Sequence, residues 1–91
     1  MSSIIETLQK RSALYGEFSS HAKVTYDLKR VLHQHPAWPK LDDDMREALD
    51  MIAHKIGRIM NGNPAYADSW HDIAGYASLV DKRLVAKERQ A

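Results

Sequence analysis

Acidic residues at helical spacing are the first candidates for chemistry in this sequence. Glu47 and Asp50 stand three residues apart, and Asp72 follows Asp68 by four, so each pair would share one side of a helix. Carboxylate oxygens of this kind suit magnesium, which is usually held by one or two carboxylates together with substrate phosphates. We therefore predict that Glu47, Asp50 and Asp72 bind Mg²⁺, with Mn²⁺ as an alternative ion. The competing interpretation is that these acids are solvated residues on polar helix faces and that Asp68 caps a helix.

Two basic residues and an aromatic turn are candidates for substrate contacts. Lys55 and Arg58 follow the first acidic pair, and an ammonium group and a planar guanidinium group both suit phosphate. The Tyr15-Gly16-Glu17-Phe18 element combines a glycine turn with one acid and two aromatic rings, so Tyr15 and Glu17 are predicted to contact a nucleobase. The alternatives are surface ion pairs for the two basic residues and core packing for the aromatic rings.

Other kinds of catalytic site have little support in the sequence. The chain has no cysteine, which excludes disulfides, thiolate metal sites and thiol catalysis. It has five histidines but no HExxH or similar zinc pattern, and it has no GxSxG element, P-loop or dinucleotide fingerprint. Any reaction would therefore depend on acid, base or metal chemistry carried by carboxylates.

Length and composition limit the partners of the protein. The 91 residues suit one small domain over 1–91 with a marginal core, so oligomerisation is expected. The 13 basic and 12 acidic residues leave a formal net charge of +1, which gives no overall field for nucleic acid. No apolar run approaches the ~20 residues of a membrane span, and the N-terminus lacks the pattern of a signal peptide. We expect a cytoplasmic protein that does not bind membrane, with nucleic acid ranked third among its partners because neither charge nor motif favours it.

The positions of apolar residues predict an all-α protein of four helices. No segment of four or more residues shows the alternation of a strand, and Gly, Pro and Asp clusters separate the helical patterns. The predicted bounds are Ile4 to Leu14, a cap at Ser19 or Ser20 to about His33, the Asp42–Asp44 cap region to Asn61, and a cap at Asp68 or Ser69 to about Lys87.

Gly75 is unusual because it lies inside the apolar pattern of the fourth helix. A glycine at such a position costs roughly 1 kcal/mol relative to alanine. Close approach of a neighbouring helix is the expected reason, and space for a ligand is the alternative.

Three elements carry a resemblance to known proteins. Tyr15-Gly16-Glu17-Phe18, REALDMIAHKIGRIMNG and DSWHDIAGYASLV resemble a family of small phage and prophage proteins of unknown function, over about Arg11 to Leu84. More distantly, the acidic hairpin is similar to the MazG-like branch of the all-α nucleoside triphosphate pyrophosphohydrolases, which bind magnesium through an ExxE pair and an ExxD pair. Glu47 and Asp50 match the first pair with one Glu replaced, and Asp72 matches the last acid. Ser69 stands where the second pair should begin.

The resemblance implies a fold, an activity and an assembly. It implies a MazG-like helical bundle completed by oligomerisation, as a homodimer or homotetramer in the cytoplasm of a host cell. The implied reaction is Mg²⁺-dependent conversion of a nucleoside triphosphate to a monophosphate and pyrophosphate, with Asp72 and Asp68 as catalytic residues. The alternative is a non-enzymatic phage or prophage accessory protein, a helical oligomer that binds a protein partner. That alternative predicts that the acidic residues at helical spacing are solvated. It also predicts an exposed apolar patch at Trp38 or at the Tyr15-Gly16-Glu17-Phe18 element, which we call the Tyr15 turn.

Overall fold

All regular structure is helical in a computed structural model of the protein, which describes residues 2–90. The elements are α1 (Ser2–Tyr15), α2 (Phe18–Gln34), a 3₁₀ turn (Trp38–Lys40), α3 (Asp43–Asn61) and α4 (Ala67–Gln90). The prediction of an all-α protein with four long helices is confirmed, and no strand occurs between residues 2 and 90. Within the same range, no helix combines the length and apolar character needed to cross a membrane.

Helix α3 is the centre of the fold because each of the other helices packs against it. On one side, α2 runs antiparallel to α3, with His21 near His54 and His33 bonded to Asp50. On the other side, α4 is also antiparallel, since Asp44 and Lys55 near opposite ends of α3 pair with residues late and early in α4. The three helices α2, α3 and α4 therefore form a layer with α3 in the middle.

The turn between α1 and α2 is docked onto the end of α3. Gly16 closes α1 with φ of 80°, a conformation that favours glycine, and its amide donates to Ser12 O at 2.8 Å. Asn61 Nδ2 donates to Glu17 O at 2.9 Å, and the Asn63 amide donates to Leu14 O at 2.9 Å. These bonds fix the Tyr15 turn beside the C-terminus of α3.

The helix starts agree with the predicted caps in part, because Asp42 is the N-cap residue of α3 but α2 begins before the predicted serines. Glu17 rather than Ser19 or Ser20 is the N-cap of α2, and neither it nor Asp42 of α3 makes a side-chain capping bond. The Asp42 and Asp44 carboxylates instead accept hydrogen bonds from Arg83 of α4. A guanidinium group donates in a rigid fork, so one arginine engages both carboxylates and ties α4 to the start of α3.

Close helix packing occurs at Gly57 rather than at Gly75, where the sequence predicted it. A Cβ atom at Gly57 would lie 2.3 Å from Thr25 Oγ1 and 3.1 Å from His21 Nδ1. A Cβ atom at Gly75 would have no neighbour within 4 Å, so the expectation of close approach there is wrong. The periodic pattern places Gly75 inside a helix but does not say which side of that helix is covered.

Alanine substitutions at these two glycines should change stability in opposite directions. Gly57→Ala forces a methyl group against α2 and should cost about 1–3 kcal/mol through overpacking, less the helix propensity gained. Gly75→Ala adds a methyl group in open space and should stabilise the protein by up to about 1 kcal/mol. Urea unfolding of both variants beside wild type measures this. Equal effects at the two positions would contradict the described packing.

Candidate functional site

The predicted metal-binding acids lie at separate helix interfaces. Asp50 Oδ1 is 2.7 Å from His33 Nε2 at the α2–α3 contact, whereas Asp72 Oδ2 is 2.9 Å from Lys55 Nζ at the α3–α4 contact. Glu47 and Asp68 are exposed. Between residues 2 and 90, no group of three or more His, Asp or Glu side chains is placed to hold a metal ion. Within one chain, the structure does not bring the predicted acids together.

Lys55, a predicted phosphate ligand, has a structural partner in this chain. It is one of the few buried polar residues, and its ammonium group reaches from α3 to the Asp72 carboxylate of α4. The hydrogen bond from Lys55 lowers the pKa of Asp72 below its usual value. A buried ammonium group requires such a counter-charge, because removing it from water without a partner is costly.

The Lys55–Asp72 pair predicts an unequal response to two conservative substitutions. Asp72→Asn removes the counter-charge of a buried ammonium group and should lower the urea midpoint clearly, whereas Asp68→Asn removes an exposed charge and should leave it nearly unchanged. Adding Lys55→Met to Asp72→Asn should recover part of the loss. A double-mutant cycle measures this coupling, and additive effects would show that the pair contributes nothing.

A separate cleft collects three of the four predicted substrate contacts. We call it the Tyr15 cleft. It has a volume of about 360 Å³ and opens between α1, α2 and α3. Its lining residues are Leu8, Arg11, Ser12, Tyr15, Gly16, Glu17, Phe18, His21, His54 and Arg58. Tyr15, Glu17 and Arg58 are thus brought together, while Lys55 is not among the lining residues.

Arg58 is held against an aromatic ring in the Tyr15 cleft. Its guanidinium carbon lies 4.3 Å from the centre of the Tyr15 ring, and Tyr66 contacts the same ring edge-on at 6.1 Å between centroids. Neither Arg58 nor Arg11 forms an ion pair with another residue of the range 2–90. The cleft therefore contains two arginines outside ion pairs, together with the Glu17 carboxylate and aromatic surface.

Two histidines form the inner wall of the Tyr15 cleft. His21 Nε2 lies 3.4 Å from His54 Nδ1, and the two rings are nearly perpendicular with centroids 4.6 Å apart. Burial lowers the pKa of both, and it lowers that of His54 to about 4, with the Arg58 charge adding to the effect. Both rings are therefore neutral near pH 7, and the positive charge of the cleft comes from its arginines.

The histidine pair should make stability fall in mildly acidic solution. The unfolded chain takes up protons near the ordinary histidine pKa of 6.5, but folded His54 does so only near 4, so the unfolded state binds more protons between these values. The free energy of unfolding should accordingly decrease as pH falls from about 6.5 towards 4. His54→Gln should flatten this slope between pH 5 and 7, while the control His71→Gln, at an exposed position, should keep it. A wild-type slope of zero over this range would contradict the neutral pair.

Arg11, His21 and His54 line the cleft but were not among the site residues predicted from the sequence. A signal was present, because Arg11 precedes Tyr15 by four residues and His21 follows Glu17 by four. On helices, residues four apart share a face. Only the docking of the Tyr15 turn on α3 shows that both helices face His54 and Arg58.

The fold and this cleft define a class of protein, an all-helical chain with an aromatic and arginine-lined cleft at one end of its central helix. Comparisons of the chain with known protein families, with curated proteins and with solved structures found no match.

Proposed function

We propose that the protein binds a nucleoside phosphate in the Tyr15 cleft. The observation that carries the proposal is Arg58 lying over the Tyr15 ring, with Arg11 in the same cleft and no ion pair for either arginine among residues 2–90. A guanidinium group over an aromatic ring keeps its N–H donors available, and two of them suit two phosphate oxygens.

The aromatic lining supports a ligand that carries a base as well as phosphate. Phe18 lies at the cleft with 80% of its surface exposed, so its ring is available for stacking, whereas the Tyr15 ring is already contacted by Arg58. The volume of about 360 Å³ falls in the lower part of the range of roughly 300–1,000 Å³ seen for small-molecule sites. A base against Phe18 with phosphates towards the arginines is the arrangement we propose.

Magnesium-dependent pyrophosphohydrolysis of a nucleoside triphosphate stays a prediction drawn from the resemblance to MazG-like proteins. Asp72 is paired with Lys55 and Asp50 with His33, so these residues of a single chain do not fit a magnesium site as they stand. Ligand binding in the Tyr15 cleft does not require a metal ion, and hydrolysis is measured separately.

The accessory-protein alternative keeps specific support. Phe18 of the Tyr15 turn and the α1 residues Ile4, Ile5 and Leu8 are all more than half exposed. Exposed apolar residues at this turn are what that alternative predicts. Trp38, the other position predicted for an exposed apolar patch, instead packs on the His33 ring at 4.4 Å between centroids.

Nucleotide binding tests the proposal directly. Isothermal titration of the protein with each of the four common nucleoside triphosphates, in EDTA, should give binding of at least one. Arg58→Ala should weaken it about tenfold or more, which corresponds to about 1.4 kcal/mol. The chain offers a matched control, because Arg30 lies over the ring of Tyr26 on α2 at 5.4 Å, outside the cleft. Arg30→Ala should bind as wild type does.

The opposite result is equally informative. Absence of binding by wild type at millimolar nucleotide, or equal loss in the Arg58 and Arg30 variants, would reject the cleft as a nucleotide site and favour the accessory protein. Repeating the titration with Mg²⁺ and measuring monophosphate and pyrophosphate tests hydrolysis without affecting the outcome for binding.

A further inference from the structure

The helical layer has one apolar face that no part of the described chain covers. Two adjoining clefts of about 350 and 240 Å³ share Leu49 and Ile52 at its centre. We call this surface the Leu49 groove and define it by Leu49, Ile52 and Ile56 of α3, Val31 of α2, and Val80 and Leu84 of α4. Side chains from all three helices of the layer contribute to it.

The Leu49 groove lies on the side of α3 opposite the Tyr15 cleft. Residues 54 and 56 are two apart, so their side chains leave the helix in directions that differ by roughly 200° around its axis. His54 lines the cleft and Ile56 lines the groove accordingly. The groove is therefore a separate surface, and whatever covers it leaves the cleft open.

The exposed area of the chain is too large for a compact monomer. Its accessible surface is 6828 Å², whereas a compact protein of 10.4 kDa exposes roughly 5,400 Å². Its radius of gyration is 16.0 Å, against roughly 12 Å for a compact domain of this length. Ala48 and Ala53 are the buried apolar residues of the described chain. The excess of about 1,400 Å² belongs to the whole chain, and exposed apolar residues of α1 such as Ile4 and Leu8 contribute to it as well as the groove. A standard dimer interface takes about 800 Å² from each partner.

We infer that a second copy of this chain covers the Leu49 groove, with the two grooves packed face to face around a two-fold axis. A helical layer with one apolar face needs a second layer to form a core, and a copy of the same layer has the same apolar chemistry. The surface that lines the groove has almost no polar atoms, so the surface that covers it must be apolar as well. The resulting dimer has α3 against α3 at its centre and one Tyr15 cleft on each outer face.

This dimer does not depend on the proposed ligand. The groove and the cleft share no lining residue, so loss of nucleotide binding and loss of the dimer are separate results. Substitutions in the groove should leave nucleotide binding unchanged, and substitutions in the cleft should leave the dimer unchanged.

Light scattering of variants of this 91-residue chain tests the inference. Wild type should be dimeric at micromolar concentration, and Leu49→Glu and Ile56→Lys should each raise the dimer dissociation constant at least 100-fold. Leu49 is 37% and Ile56 is 36% exposed in a single chain, so a charged side chain at either position reaches water once the partner has left. The control is Leu79→Glu, which changes an apolar residue that is 66% exposed and lies outside the groove. This control should remain a dimer, and circular dichroism checks the helix content of each variant.

A chemical measurement covers the case in which a charged variant fails to fold. The chain has no cysteine, so a single introduced thiol reports its own surroundings. At least one of Leu49→Cys, Ile52→Cys and Ile56→Cys should give a covalent dimer with a short bifunctional maleimide, and Leu79→Cys should not. A monomeric wild type, a dimer that all groove variants leave intact, or crosslinking at Leu79 alone would overturn the inference. A monomer would assign the groove to another occupant, and an intact dimer would place the interface elsewhere.

Discussion

The close approach of α2 to α3 at Gly57 is the contact on which the rest of the structure depends. A residue with no side chain lets Thr25 and His21 pack directly on the backbone of α3. That approach brings the His21 ring against His54 one turn earlier in α3, and so forms the inner wall of the Tyr15 cleft. Any larger residue at 57 would separate the two helices and open this wall.

Polar contacts connect α4 to α3 where apolar burial is scarce. The Lys55–Asp72 pair and the Arg83 fork on Asp42 and Asp44 lie towards opposite ends of the α3–α4 contact. Such pairs fix the register of two helices more than they add net stability, because desolvation offsets much of the attraction. The same pairing occupies Asp72, so an acid that the sequence offers as a metal ligand has a structural partner in the single chain.

Charge and exposure divide the layer of α2, α3 and α4 into two different surfaces. Arginine, histidine and aromatic side chains meet on one side, where the Tyr15 turn is docked by Asn61. Aliphatic side chains cover the other side. A layer built in this way has no interior of its own, and burial of its apolar side requires a second layer. The surfaces proposed for ligand binding and for assembly therefore lie on opposite faces of one helix, α3.

The amino-acid sequence by itself determined the helices and the turn that serves the cleft. Apolar residues repeat at helical spacing in each segment, and the glycine at 16 has the backbone freedom that its φ of 80° requires. Tyr15, Glu17 and Arg58 were predicted as substrate contacts from residue type, and they lie in one cleft, whereas Lys55 does not line it.

Tertiary structure alone decided the partners of the charged residues. Spacing shows that Glu47 and Asp50 lie within one turn, but only the packing of α2 and α4 places His33 on Asp50 and Lys55 on Asp72. Contacts between distant residues depend on which helix faces meet, and local sequence patterns do not specify that choice.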